Sequence, residues 1–175
     1  MLEKYKYTDS EMKELLSSIV VIIDTREKAN KHIIDWFTEK KIHYIIKKLD
    51  HADYSFYLPQ NINLGIERDM YFTNEISVER KGSLEELAGN FSKDRDRIED
   101  EFLRHKGELT LLIEDGNYKD IWENNYKTKL SNKSYIGTLH SFSDRYKTPF
   151  IFVDKEHSAR FIYFKFYYFL RNILK

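Results

Sequence analysis

The run SIVVIID, residues 18–24, constrains this chain more than any other stretch. Five of its seven residues are Ile or Val, with no polar alternation. Such a run reads as a strand buried on both faces, and such strands belong to sheets with helices packed on either side. Asp24 closes the run, leaving a carboxylate at the end of a buried strand.

The following residues supply the helices. HIIDWFTEKK (32–41) carries Ile33, Trp36 and Phe37 at helical spacing, which predicts a helix packed on that strand. HYIIKKL (43–49), DYSFYL (53–58) and EISVERK (75–81) read as strands, and INLGIERD (62–69) as strand and turn. SLEELAGNF (83–91) opens a helix with Ser83 at the N-cap and Glu86 in capping-box position. DRDRIEDEFLRH (94–105) continues it, with Ile98, Phe102 and Leu103 on one side. ELTLLIED (108–115) is a second buried strand. A helix within 128–146, with Ile136, Leu139 and Phe142 along one side, leads to the strand TPFIFVD (148–154). Strands alternating with helices predict an α/β fold with a mixed central sheet flanked by helices. With 175 residues this is one domain, with residues 1–17 as an N-terminal extension and 18–165 as the core.

HSARFIYFKFYYFLRNIL (157–174) is a final helix, aromatic nearly all round. It is either a core helix or a helix that also forms a homodimer interface. Lys165 interrupts its apolar stretch, which is too short to span a bilayer, so no membrane segment is expected. The opening MLEKYKYTDSEM is charged and has no signal-peptide core.

Composition excludes sulfur chemistry. There is no Cys, hence no disulfide, thiolate metal site or thiol nucleophile, which fits a reducing compartment. The six His show no zinc spacing, and glycine loops for nucleotides are absent. Basic and acidic residues balance at 29 each, which speaks against a strongly basic nucleic-acid binder. The balance hides unlike parts: residues 51–100 hold 6 basic and 11 acidic side chains, residues 101–175 hold 13 and 9. A carboxylate-rich middle beside a basic tail is compatible with a metal site next to a phosphate-binding surface, or with chance.

The sharpest chemical feature is Glu79-Arg80-Lys81 at a strand end. Residues two apart share a strand face, so Glu79 and Lys81 point together and Arg80 points away. A carboxylate beside an ammonium suits phosphodiester hydrolysis: one holds a divalent ion, the other serves the attacking water or offsets transition-state charge. The bland alternative is a solvated surface ion pair. Asp53 begins another strand, and with Asp24 and Glu79 it gives an oxygen-rich set suited to Mg²⁺ or Mn²⁺. Arg26 can clamp a phosphate and Glu27 can assist water or metal; equally, Asp24 or Thr25 caps a helix with Glu27 in its first turn. Arg95 and Arg97 reach phosphates or pair with Glu99 and Glu101.

These pieces, in order, resemble the nuclease domain of the XPF/Mus family of structure-specific endonucleases, a branch of the restriction-endonuclease-like superfamily. VVIIDTREK (20–28), HADYSF (51–56), VERKGSLEEL (78–87), KDRDR (93–97) and LTLLIED (109–115) carry the likeness, which runs over about residues 18–165. The resemblance implies metal positions at Asp24, Asp53 and Glu79, with Glu27 and Lys81 completing the catalytic set. It implies DNA contacts at Arg26, Arg80 and Arg95, and a structural place for Glu114. It further implies Mg²⁺- or Mn²⁺-dependent cleavage of branched, flap or junction DNA in repair or recombination, as a Holliday junction resolvase would act. The ends left are 5′-phosphate and 3′-hydroxyl, and the working form is a dimer. Alternatives are a non-catalytic DNA-binding or scaffold subunit and a sequence-specific restriction-type nuclease. Two departures stand out. Ala52 replaces the family's Gly before Asp-Tyr, which matters if that position needs positive φ. Nothing resembles the tandem helix-hairpin-helix repeats that relatives add, so the chain grips DNA by itself or through a partner. The modest size suits a phage or bacterial product acting in the cytoplasm.

Overall fold

The computed structural model describes residues 7–175. Residues 1–6, half of the charged opening stretch, lie outside the described residues. The Ile/Val run forms β1 (Val20–Ile23), buried at every position. The other strands are β2 (His43–Ile46), β3 (Tyr54–Leu58), β4 (Met70–Tyr71), β5 (Ile76–Lys81), β6 (Glu108–Ile113) and β7 (Phe150–Phe152). They make one mixed sheet in the order β2-β1-β3-β5-β6-β7, with the short β4 beside β3. β1 pairs parallel with β2 and antiparallel with β3; β5 pairs parallel with β6.

Each face of the sheet has its own core. On one side lie α1 (Asp9–Ser17), α2 (Lys31–Glu39) and α7 (Ser158–Ile173). Val21, Ile23, Phe56, Val78 and Leu112 meet Ile33, Phe37, Ile162 and Phe166 there. On the other lie α3 (Leu84–Ser92), α4 (Arg95–Arg104), α5 (Tyr118–Trp122) and α6 (Asn132–Tyr146). Leu109, Leu111 and Ile113 meet Leu87, Phe91, Phe102, Leu139 and Phe142. Truncating one such buried aromatic, Phe166 for instance, would cost about 3–5 kcal/mol. This second helical layer lies over the β5-β6-β7 half, while Val20, Ile22, Ile45 and Tyr57 belong to neither core cluster.

Several expectations need correction. Within the N-terminal extension a helix forms: Thr8 and Glu11 make a capping box, and α1 buries Leu15 and Leu16. The helix expected through 83–105 is two helices, broken at Lys93 and Asp94, and in α4 Ile98 and Phe102 are buried while Leu103, the next residue round from Phe102, lies outward at 68% exposure. Residues 62–64 form a 3₁₀ turn rather than a strand. Ser83 does cap α3, but Glu86 reaches back one residue further, to the Gly82 N–H at 2.8 Å. α7 is amphipathic: Ile162, Phe166 and Leu170 are buried, whereas Phe164 and Tyr168 lie outside. No helix among the described residues is long and apolar enough to cross a membrane.

Candidate active site

The ends of three interior strands, β1, β3 and β5, meet at one end of the sheet. The Asp24 N–H donates to Asp53 O at 2.8 Å, and the Asp53 N–H to Val78 O at 3.1 Å. Tyr54 pairs with Val78. The next antiparallel pair outward is therefore Asp53 with Glu79, on the face opposite Tyr54 and shared by Lys81.

Glu79 is 4% exposed. Its Oε1 accepts from Lys81 Nζ at 2.6 Å, and its Oε2 is buried with no hydrogen-bond partner. Burial pushes the Glu79 carboxyl up to about 7 against the pull of Lys81. Asp53 Oδ2 accepts the Arg80 N–H at 2.8 Å. Burial, then the carboxylates of Glu79 and Glu27, drive Asp53 well above the usual range despite Lys81. Burial disfavours the charged form of Lys81, but Glu79 and then Asp53 outweigh it and hold the ammonium protonated.

Asp24 is fully buried, and both of its oxygens accept hydrogen bonds. Its Oδ1 accepts from the backbone N–H (2.8 Å) and Nε (2.7 Å) of Arg26, and its Oδ2 from the Leu49 N–H (2.6 Å). Burial pushes its carboxyl up; these hydrogen bonds from Arg26 and Leu49 prevail and hold it below the ordinary value. Both oxygens of Asp24 thus lock the turn after β1 to the segment after β2.

Arg80 points to the opposite face, as the alternation predicts. There it is only 5% exposed and surrounded by acceptors. Nη2 meets Glu27 Oε1 at 2.8 Å and Nε meets Oε2 at 3.3 Å. Nη1 meets Glu114 Oε2 at 2.7 Å, and Ala29 O accepts at 3.2 Å. Glu114, fully buried, also bonds His32 Nε2 at 2.8 Å. Glu27 and Arg80 therefore neutralise each other. Arg95 pairs with Glu99 at 3.0 Å, its guanidinium 5.6 Å from the Phe142 ring.

A cleft of about 500 Å³ opens over these residues. Asp53, Glu79, Lys81, Arg80, Glu27 and Arg26 line it; Asp24 and Arg95 do not. From α4 the cleft receives Arg97 and Arg104 instead. The sequence signal for that pair was their seven-residue spacing, two full helical turns on one face, which also selects Asp100 and Glu101. Seven carboxylates and six cationic groups line the cleft, so by itself it has no surplus positive charge for a polyanion.

The donors fit a hard divalent cation. Glu79 offers a buried, unpartnered oxygen beside the elevated Asp53 carboxyl, and a cation would relieve their repulsion. Among the described residues no three metal-ligating side chains are gathered together. Mg²⁺ needs no such set, because it commonly uses one or two carboxylates with water and phosphate oxygens.

Ala52 explains the departure before Asp-Tyr. It has φ 60°, the left-handed region, and its methyl is buried at 1% exposure. The position favours glycine, and this chain fills it with the smallest residue that is not.

Comparison with known proteins places this arrangement. A family model described as the ERCC4 domain matches residues 23–164. No curated protein matches the chain. Among solved structures, XPF from Aeropyrum pernix is similar at TM-score 0.63 and 17% identity, over 88% of this chain and 66% of that one. XPF from Aeropyrum pernix in complex with DNA is similar at TM-score 0.60 and 16% identity, with the same two coverages. At such identities the likeness is one of fold: a restriction-endonuclease-like core with a mixed sheet between helices. The chain spans just under two thirds of the length of those structures.

Proposed function

The chain belongs to the ERCC4 domain family, and from that premise we propose that it is a divalent-cation-dependent DNA endonuclease acting on branched, flap or junction substrates. Family membership supports a nuclease-type function. The observation that carries the finer reading is the Asp53–Glu79–Lys81 group, two carboxylates and an ammonium set together in a cleft at the ends of β3 and β5.

In this reading water attacks a backbone phosphorus in line with the bond to the 3′ oxygen. A bond from the water oxygen to phosphorus forms, the P–O3′ bond breaks, and a water proton ends on the departing oxygen. The products are 5′-phosphate and 3′-hydroxyl ends. Asp53 and Glu79 would hold Mg²⁺ or Mn²⁺, which polarises phosphate and makes water more acidic. Lys81 keeps Glu79 oriented and offsets charge growing on the phosphoryl oxygens. Arg26, whose side chain is 60% exposed, contacts a phosphate at the cleft mouth. Asp24 serves by position, fixing Arg26 and the segment at Leu49. Arg80 and Glu27 hold the strand end behind the reacting groups. The Aeropyrum pernix relative seen with DNA supports DNA as the substrate polymer.

The exposed outer face of α7 supports a homodimer. Phe161, Phe164, Tyr168 and Phe169 line a groove of about 580 Å³ there, and a second copy would cover it. A separate partner carrying a DNA-binding module remains part of the proposal, as does action in the cytoplasm of a bacterial or phage-infected cell. One observation favours the rival reading of a non-catalytic DNA-binding subunit: both Asp24 oxygens are already engaged.

Cleavage of flap, fork and four-way-junction DNA with Mg²⁺ or Mn²⁺, compared among the parent, Asp53→Asn and Glu79→Gln, tests the proposal. Losses of at least about 100-fold in both variants are expected. Equal cutting by variants and parent would sink the mechanism. Discrete cuts on random plasmid DNA would point to a restriction-type enzyme instead.

A further inference from the structure

The sheet face that bears Glu79 and Lys81 does not stop at the cleft. Ser55 lies beside Ser77 on that face, one pair inward from Tyr54–Val78. Ile22 pairs with Ser55 and Val20 with Tyr57, so β1 extends the same face. Ile45 of β2 extends it again by pairing with Ile22. None of Val20, Ile22, Ile45 and Tyr57 joins the core under α3–α6. α3–α6 therefore do not cover this half of the face, where Ile22 and Ser55 are nonetheless buried.

A groove of about 250 Å³ lies on that half. Ile22 floors it, with Lys47 and Lys48 on one wall and Tyr71 and Asn74 on the other. Asp50 lines both this groove and the catalytic cleft, so the two adjoin. The wall is rigid. The Lys47 N–H donates to Ile23 O at 2.9 Å and the Leu49 N–H to Asp24 at 2.6 Å. Arg26 Nη2 holds Leu49 O at 3.3 Å. His51 Nε2 meets Thr73 O at 3.0 Å, tying one wall to the other.

The charge in the groove is poised. Lys47 Nζ sits 4.3 Å from the Tyr71 ring centre and donates to Tyr71 Oη at 3.2 Å. The Tyr71 ring is in turn stacked on Tyr57, centroids 5.0 Å apart. Lys47 and Lys48 are exposed, and among the described residues neither has a carboxylate partner, which they share with other exposed lysines such as Lys13 and Lys41; what sets them apart is their place, side by side along the groove. Two ammonium groups without a carboxylate partner, against the single carboxylate of Asp50, give the groove a positive excess that the adjoining cleft lacks, and that suits a polyanion.

We infer that this groove carries the phosphodiester backbone of a DNA strand passing out of the catalytic cleft, with Lys47 and Lys48 each neutralising a phosphate. The inference rests on the nuclease reading above and adds a track for the strand beyond the cut. It also gives Asp24 and Arg26 a second consequence, since their grip on Leu49 sets where both lysines stand.

The test is DNA binding by the full chain, by fluorescence anisotropy, with fork DNA in Ca²⁺ and KCl between 50 and 200 mM. Replacing Lys47→Ala with Lys48→Ala should flatten the slope of log Kd against log salt by about 1.4–1.8, the value for two phosphate contacts. Affinity should fall about tenfold or more. Lys47→Arg with Lys48→Arg should restore most of both. A charge-matched control, Lys13→Ala with Lys40→Ala, should leave the slope as it was. An unchanged slope in a double variant that melts like the parent would overturn the inference, as would a parent that binds no DNA. A parent that cuts DNA with no contribution from Lys47 and Lys48 removes the groove alone. A parent that shows the lysine-dependent slope but cuts nothing removes the nuclease reading and leaves the groove.

Discussion

Replacing Arg80 by Met should unfold the protein far more readily than it weakens DNA binding. The guanidinium, 5% exposed, faces Glu27 at 7% and Glu114 at 0% exposure. It donates two bonds to Glu27, one to Glu114 and one to Ala29 O. Methionine matches the length of the side chain but leaves two carboxylates buried without their cation, and only Glu114 keeps a second partner, His32. Removing one member of a buried ion pair costs about 3–5 kcal/mol. For a domain of this size that is a fall in Tm of roughly 6–20 °C. Urea unfolding of the parent, Arg80→Met, Glu114→Gln and the double variant gives the coupling directly. It should reach about 2–3 kcal/mol, the upper range for residues in one network. A loss below about 1 kcal/mol, typical of surface changes, would refute the reasoning and return Arg80 to the role of a phosphate contact.

Three other outcomes follow from the same geometry. At Ala52, glycine would relieve a left-handed residue by about 1–2 kcal/mol and forfeit a buried methyl and some chain entropy worth about as much. Ala52→Gly should therefore stay within about 1 kcal/mol of the parent, whereas Ala52→Val should lose at least about 2 kcal/mol in urea melts. Glu79, pushed up to about 7, has a folded-state value above its unfolded one. Its contribution to stability is complete below pH ~4.5 and is lost as the pH rises through ~7. Without metal, the stability difference between parent and Glu79→Gln should shift against the parent from pH 5 to 8, and a flat difference would contradict the assignment. At the outer face of α7, Phe164→Glu with Tyr168→Glu should leave a folded monomer in sedimentation velocity, while an unchanged dimer would move the interface elsewhere.

Burial on both faces was legible wherever it left an unbroken apolar run, which is why β1 and β6 were read within a residue or two. β5 was harder, since Ser77, Glu79, Arg80 and Lys81 look like a solvated strand end yet all are buried. Arg80, for one, is held by partners 27 to 53 residues away in the chain. The face alternation of Glu79, Arg80 and Lys81 was nonetheless readable, because a strand's period is fixed by its backbone. Asp24 shows where such reasoning stops. Its partner at Leu49 is a backbone N–H, which no side-chain pattern can announce. In α4 Arg95 stands three residues before the buried Ile98 and seven before Phe102, on the helix's inward face, and so Arg97 rather than Arg95 comes to line the cleft. The demand for positive φ at Ala52 surfaced only as a departure from a motif, and the backbone supplies its reason.

The most direct test of the central claim is a crystal structure grown with Mn²⁺, read from its anomalous signal. The expected result is an ion bound by an oxygen of Asp53 and the free Oε2 of Glu79, at roughly 2.0–2.2 Å, with Lys81 still on Oε1. A cleft without Mn²⁺ at concentrations that support DNA cleavage, or an ion that bypasses both carboxylates, would contradict it.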